Sequence, residues 1–374
     1  MPPVRAVGLN AMFLDPGVSG GPETYLHALG DALVRRRPDV AFSVATTRRG
    51  AASLRAAGGW VDAVKVHELP ADEGQRGRRL WAEQVLLPRL AAREGWDVLH
   101  SVASVAPVRA RVPAVITLHD VTFLHIPTFP RATTVAMSQI MRRASRRAQA
   151  LIAISQATRD AVCDAFGLDP ARVAVVPNGP GRPPAEPAPL DDVLHRHGVD
   201  ARARIVLCVG AKRPHKNQEL LVRAARELPG DCTVVLAGHA EPYERELREL
   251  AGPDARVRFT GRLPDAELEA LMGAAACVAV PSLAEGFGLP VLEAMRRGVP
   301  VACSDIGVFH EVAGDAARYF DPHDPAGAAA AIVAAMDDPA LRAAGPERAA
   351  RFSWDATARG TLDAYERAVA ARGA

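Results

Sequence analysis

The sequence predicts two α/β domains, each a doubly wound parallel sheet, and three observations carry that reading. Apolar runs of strand length alternate with helical patterns from one end of the chain to the other. Most runs are continuous in Val, Ile, Leu and Ala rather than alternating, as parallel strands are when helices cover both faces. A proline-rich break lies near the middle of 374 residues, a length suited to two domains of about 100–200 residues each.

The strand candidates before the break are 4–10, 42–47, 61–69, 97–102, 114–119, 150–155 and 173–177. Those after it are 205–210, 233–238, 257–261, 277–282 and 300–304. Helical segments between them make repeated βαβ units. Residues 177–189 contain six prolines and continue neither a helix nor a central strand. The expected division is a first domain over 1–180, a linker over 181–190 and a second domain over 191–350. Two such domains joined by a stiff hinge would leave a cleft. Ligands of open α/β sheets bind outside the carboxyl ends of the strands.

Composition narrows the function classes. Hydrophobic residues are 49% and charged residues 24%, as in ordinary proteins with large cores. No apolar run reaches the roughly 18–20 residues that span a bilayer, and Met1-Pro2-Pro3-Val4-Arg5 has no signal-peptide character. The expected location is the cytoplasm. The five cysteines, Cys163, Cys208, Cys232, Cys277 and Cys303, are widely spaced without a C-x-x-C pair. They read as buried reduced thiols rather than a disulfide framework or zinc site. Residues 1–180 hold 22 basic and 15 acidic side chains, and the remainder 23 and 28. A basic first half suggests peripheral contact with an anionic membrane or lipid phosphate, with Arg142, Arg143, Arg146 and Arg147 as candidates. Arginines decorating solvated helix faces would look the same. Dispersed basic residues and 5% aromatics argue against nucleic acid.

The chemistry concentrates in Pro281-Ser282-Leu283-Ala284-Glu285-Gly286-Phe287-Gly288-Leu289-Pro290-Val291-Leu292-Glu293. It follows a strand and opens a helix. Pro290 suits the first helical position, and Gly286 and Gly288 permit close backbone approach. N–H groups of Gly286, Phe287, Gly288 and Leu289 are placed where an anion is favoured. Two carboxylates beside such a site make sense if Glu285 and Glu293 accept hydrogen bonds from sugar and ribose hydroxyls. A second loop, Gly210-Ala211-Lys212-Arg213-Pro214-His215-Lys216-Asn217, holds two of the chain's three lysines. Its cations Arg213 and Lys216 suit the growing negative charge of a diphosphate leaving group.

The first string resembles the E-x7-E signature of retaining glycosyltransferases of family 4, which have the two-domain GT-B fold. Segments around Val209–Asn217, Val257–Gly261, Gly298–Val301, Glu311–Ala317 and Phe320–Pro322 are similar too, so the resemblance spans nearly the whole chain. It implies that Glu285 contacts the donor sugar and Glu293 the ribose. It also implies that Lys216 and Arg213 serve the phosphates, although Arg213 stands later in its loop than the family's arginine. Gly20 and Gly21, in the loop after the first strand, resemble the family's glycine-rich loop near the donor phosphates, with Pro22-Glu23-Thr24 as a departure. His119 resembles the family's histidine beside the donor sugar. The tail 351–374 resembles the helix that crosses back to the first domain.

The resemblance implies a retaining transferase that needs no metal or other cofactor. No D-x-D clamp, P-loop, H-E-x-x-H or nucleophile elbow occurs. The stretch 119–127 is similar to members that use GDP-mannose, so the expected reaction moves mannose to a saccharide or glycoconjugate hydroxyl with an α-linkage. UDP-glucose, UDP-N-acetylglucosamine and dTDP-sugars suit the same scaffold. Two other readings are a sugar-nucleotide epimerase of the same fold, which needs no acceptor, and a non-catalytic sugar-nucleotide-binding subunit, which shows no turnover alone.

Overall fold

Two parallel sheets organise the computed structural model, which describes residues 3–71, 76–126, 130–181, 183–254 and 256–373. Pro127, at the end of the stretch similar to GDP-mannose users, and Arg182 of the linker lie outside the described residues. The chain divides into two units, Met1–Gly179 together with Ser353–Ala374, and Pro180–Phe352.

The first unit holds β1 (Ala6–Asn10), β2 (Ala41–Thr47), β3 (Lys65–Leu69), β4 (Val98–Ser101), β5 (Ala114–Leu118), β6 (Ala150–Ala153) and β7 (Val173–Val175). Their order is β3-β2-β1-β4-β5-β6-β7, and every pairing is parallel. The chain starts at β1, winds outward to β3, then returns to β4 on the other side. β1 and β4 therefore flank the topological switch point. Continuous apolar runs occupy the middle: β4 and β6 are buried along their whole length. β3 is the exception, with Lys65 and Glu68 exposed and His67 and Leu69 buried. Charges on an edge strand discourage pairing with another chain. The expected strand 61–69 begins only at Lys65. Gly58 and Gly59 both have positive φ, and Gly59–Ala63 forms a tight turn of helix instead.

The second unit holds β8 (Arg204–Val209), β9 (Cys232–Ala237), β10 (Val257–Gly261), β11 (Ala275–Val280), β12 (Val301–Ser304) and β13 (Arg318–Phe320), in the order β10-β9-β8-β11-β12-β13. Its switch point lies between β8 and β11. β13 was not among the strand candidates, because three residues at a sheet edge carry no readable period. All five cysteines are free and buried.

The last helix, Trp354–Gly373, belongs to the first unit and is held there by buried polar contacts. The Thr357 hydroxyl donates to the Pro177 carbonyl at 2.7 Å. Tyr365, fully buried, meets His100 Nδ1 through its hydroxyl at 2.7 Å. His100 Nε2 lies 2.8 Å from the Thr117 hydroxyl, which is 3.1 Å from the Tyr25 hydroxyl. Four side chains from the first helix, two strands and the last helix thus satisfy one another where water cannot.

That network sets a pH dependence. Burial, and secondarily His119, push the pKa of His100 down to about 3. The unfolded chain therefore binds a proton near the ordinary histidine value of about 6.5 that the folded chain refuses, so stability must rise with pH across this window. Urea unfolding is expected to show stability falling steadily from pH 7 to pH 4. His100→Gln should flatten that slope, and an unchanged slope would place the acid sensitivity elsewhere.

Candidate functional site

At the switch point of the second sheet, two loops leave the carboxyl ends of β8 and β11 side by side. They are tied together by backbone groups and one asparagine. Leu283 N–H donates to the His215 carbonyl at 2.8 Å. Asn217 adopts a left-handed conformation with φ 52, and its amide donates to Pro281 and Pro322 carbonyls at 3.0 and 2.8 Å. Asparagine tolerates that region better than most residues. The tie brings Lys216 to Glu285: Nζ donates to Oε1 at 2.5 Å, and the Ser282 hydroxyl donates to the same oxygen at 2.8 Å. Burial alone would push the Glu285 carboxyl up, but Lys216, with Ser282 and His215, outweighs it and holds the group below the usual carboxylate range. Lys216 uses one of its three donors here among the described residues, so the ammonium can serve a further anion.

Beyond Glu285 the turn runs through Gly286 and Phe287 to Gly288, whose φ of 95 precedes the helix Leu289–Arg296. A Cβ at Gly288 would stand 2.6 Å from the Phe309 ring, so neither the dihedral nor the space admits a side chain. Phe287 is buried edge-to-face on Phe352, 5.7 Å between centroids, which leaves its backbone as the part offered outward. Pro290 stands in the first turn without an N–H to leave unpaired, and Val291 N–H donates back to the Gly288 carbonyl at 3.0 Å. Glu293, one turn in, is half-buried. Its Oε1 abuts Gly181, where a Cβ would come within 1.7 Å. The linker glycine is therefore shaped to this carboxylate.

Arg213 shares the loop with Lys216, but its guanidinium is engaged by Glu241, at 3.1 Å from Nε and 2.8 Å from Nη2. Lys212 is fully buried and turns away from both.

In the first unit, His119 follows β5 and is nearly buried. Its Nε2 lies 2.7 Å from the Val102 carbonyl, which can only accept, so Nε2 carries the proton and Nδ1 keeps a lone pair. Burial lowers its pKa, opposed by the Val102 hydrogen bond and Asp120, so the ring is a neutral acceptor. Tyr25 holds it edge-on at 4.9 Å and 87°. Gly20 has φ 59 with open space around it, and Gly21 begins the helix Gly21–Arg36. The departure at Glu23 has a structural role: its carboxylate accepts from Gly17 N–H at 3.0 Å and folds the loop back on the helix.

Sequence reasoning passed over three residues. Glu241 acquires its role only because the loop after β9 meets the loop after β8, whereas Ser282 serves a carboxylate three residues along its own loop. Glu83 is a buried carboxyl on the wide helical turn Ala82–Leu86, accepting from the Asn10 amide at 2.7 Å at the end of β1. Burial pushes its pKa up, against Asn10 and Arg79. A cleft of about 310 Å³ in this unit, lined by Arg109, Arg147 and Gln149 among others, adjoins Ala114 at the start of β5. It is at the opposite strand end from His119. Arg142 is half-buried, whereas Arg143, Arg146 and Arg147 are exposed, with Arg146 also donating to the Phe166 carbonyl. No described helix is long and apolar enough to cross a membrane.

Residues 193–352 match the family described as glycosyl transferases group 1, and residues 19–180 match glycosyltransferase family 4. The chain is 30% identical to O-antigen chain mannosyltransferase B of Escherichia coli, over 68% of this chain and 70% of that one. It is 36% identical to a D-inositol 3-phosphate glycosyltransferase of Kineococcus radiotolerans, over 66% of this chain and 62% of the other, so the match spans under two thirds of that relative. Sucrose-phosphate synthase from Thermosynechococcus elongatus superposes with a TM-score of 0.78 at 20% identity, covering 98% of this chain and 100% of that one. This likeness is one of fold, the GT-B pairing of two Rossmann-like domains.

The Lys216–Glu285 pair has a measurable signature. Lys216→Ala leaves a largely buried carboxylate without its cation, at an expected cost of about 1–3 kcal/mol at pH 7. The pair's contribution is present above the unfolded carboxyl pKa and is lost as pH falls through the lower folded value. Denaturation curves of the two proteins should therefore converge as the pH falls below the usual carboxylate range. A constant difference across pH would assign the loss to packing.

Proposed function

Because the chain belongs to the group 1 glycosyltransferases of family 4, we propose that it is a retaining, metal-independent hexosyltransferase, moving mannose from GDP-mannose to a hydroxyl of a saccharide or glycoconjugate. The observation that carries this reading is the Lys216–Glu285 pair at the head of the Gly286–Leu289 turn. It sets a cation, a carboxylate and the backbone N–H groups of that turn at one strand end. Lys216 and the N–H groups would take the diphosphate, Glu285 a sugar hydroxyl and Glu293 the ribose. His119 Nδ1 would accept from a further sugar hydroxyl. The bond from the anomeric carbon to the phosphate oxygen breaks as the bond to the acceptor oxygen forms on the same face. The acceptor proton passes to the departing phosphate. Arg213 joins the phosphate site only by exchanging Glu241 for the ligand.

Mannose is favoured by the 119–127 stretch and by relatives that carry mannosyltransferase names, among them a phosphatidyl-myo-inositol mannosyltransferase of Mycolicibacterium smegmatis. The test is transfer from GDP-mannose with and without EDTA, with NMR of the product's anomeric centre. Activity that survives chelation and an α-linked product are expected. A β-product rejects retention. Activity abolished by EDTA and restored by Mg²⁺ rejects metal independence.

Kinetics separate the site residues. Glu293 would contact a part of the donor remote from bond breaking, so Glu293→Gln should raise donor KM more than it lowers kcat. Lys216 would face charge that grows in the transition state, so Lys216→Ala should lower kcat itself by about 10²–10³-fold. A folded Lys216→Ala protein with wild-type kcat removes the lysine from the mechanism.

Peripheral contact with an anionic membrane, the remaining part of the reading, rests on Arg142, Arg143, Arg146 and Arg147 of one helix, the last three of them exposed. Co-sedimentation with phosphatidylglycerol vesicles should fall with salt and with Arg143→Ala/Arg147→Ala. Binding indifferent to both rejects the contact.

A further inference from the structure

Lys212 is a buried cation without an ionic partner. It is fully buried, and no carboxylate lies within ion-pair distance of it among the described residues. Its ammonium donates to two backbone carbonyls, Leu236 at 3.1 Å and Gly238 at 2.8 Å, where β9 ends. Burial pushes its pKa below the usual lysine value, opposed by Glu244. An ammonium out of water is costly to keep, and a leucine or methionine would fill the same volume without that cost. Its place there is explained by a role that needs the donors.

The surrounding contacts indicate what the donors do. Lys212 N–H also donates to the His239 carbonyl at 3.1 Å, and Gly210 N–H to Ala237 at 2.9 Å. Gly238, at φ 130, lets the two segments touch: a Cβ there would stand 2.3 Å from the Gly210 carbonyl oxygen. Lys212 thus fastens the loop after β8 to the loop after β9. Asn217 and His215 fasten the other end of the same loop to the segment after β11. Arg213 and Lys216 stand between the two fastenings. The Arg213–Glu241 pair spans the seam that Lys212 closes.

We propose that Lys212 is a positioning residue for diphosphate recognition: without touching the ligand, it fixes the loop from which Lys216 and Arg213 reach the phosphates. This rests on the reading of that loop as the donor's phosphate site. No other described lysine is fully buried. Lysine suits the seam because its ammonium presents several donors at the end of a long thin stem, whereas the planar guanidinium of arginine is broader.

The test uses Lys212→Met in the full chain, with Leu341→Ala, a core change elsewhere in the second unit, as a control for general destabilisation. Hydrogen exchange of segments 211–217 and 238–241 should quicken about tenfold or more in Lys212→Met, with β9 and β11 unchanged. Calorimetry with GDP, GMP, UDP and UMP should show diphosphate affinity falling about tenfold, with monophosphate affinity held. Leu341→Ala should change neither the loop exchange nor the diphosphate-to-monophosphate ratio. Lys212→Gln, a shorter neutral donor, replaces the methionine variant if that protein does not fold, and the same signature is expected. Unchanged loop exchange, or diphosphate and monophosphate affinities that fall together, overturns the assignment. Wild-type protein that binds neither GDP nor UDP overturns the donor reading itself, and the positioning role with it.

Discussion

A parallel sheet covered on both faces leaves only its strand ends near water, and this constraint governs where polar chemistry can sit in both units. Backbone groups inside β1–β13 are largely spent on one another, and the side chains between them are mostly apolar. At the carboxyl ends the chain must turn, and the turns hold nearly every charged or strained residue of interest. Lys216, Glu285 and Gly288 stand there in the second unit, and His119 and Gly20 in the first, where the helical carboxyl of Glu83 also reaches Asn10 at the end of β1.

The second consequence is economy of charge. Few cations and carboxylates are buried at these ends, and most have a specific partner. Lys216 and Glu285 neutralise each other, and Arg213 and Glu241 do the same. On the proposed reading, a ligand with a diphosphate and hydroxyls would enter by sharing partners rather than by leaving a bare charge behind, which would keep the desolvation cost of binding low. Lys212 departs from the pattern, compensated by carbonyls alone, and it holds a seam rather than facing a ligand.

The first unit solves a related problem with neutral groups. Its last helix returns a tyrosine to the sheet, and the Tyr365–His100–Thr117–Tyr25 chain is satisfied without any formal charge. His119 belongs to the same neighbourhood, and its tautomer is dictated by the Val102 carbonyl. With burial holding its pKa below the usual histidine value, the neutral ring keeps Nδ1 as a hydrogen-bond acceptor.

The sequence by itself determined the architecture. Continuous Val/Ile/Leu/Ala runs specify buried parallel strands, six prolines in 177–189 interrupt them, and Gly-x-Gly-Leu-Pro marks a strand-to-helix turn, because each of these is a local property of the chain. Glu285, Lys216 and Glu293 were legible as candidates because their motifs are contiguous. Short pieces escaped: β13 is too brief for a period, and two glycines with positive φ delayed β3. What only the tertiary structure decided was partnership. That Lys216 meets Glu285 across 69 residues, that Arg213 is taken by Glu241, and that Lys212 lies buried while its neighbour does not, depends on which loops lie side by side. Such pairings come from sheet order, in which β8 stands between β9 and β11. Sheet order is a long-range outcome of packing, and no local pattern of residues encodes it.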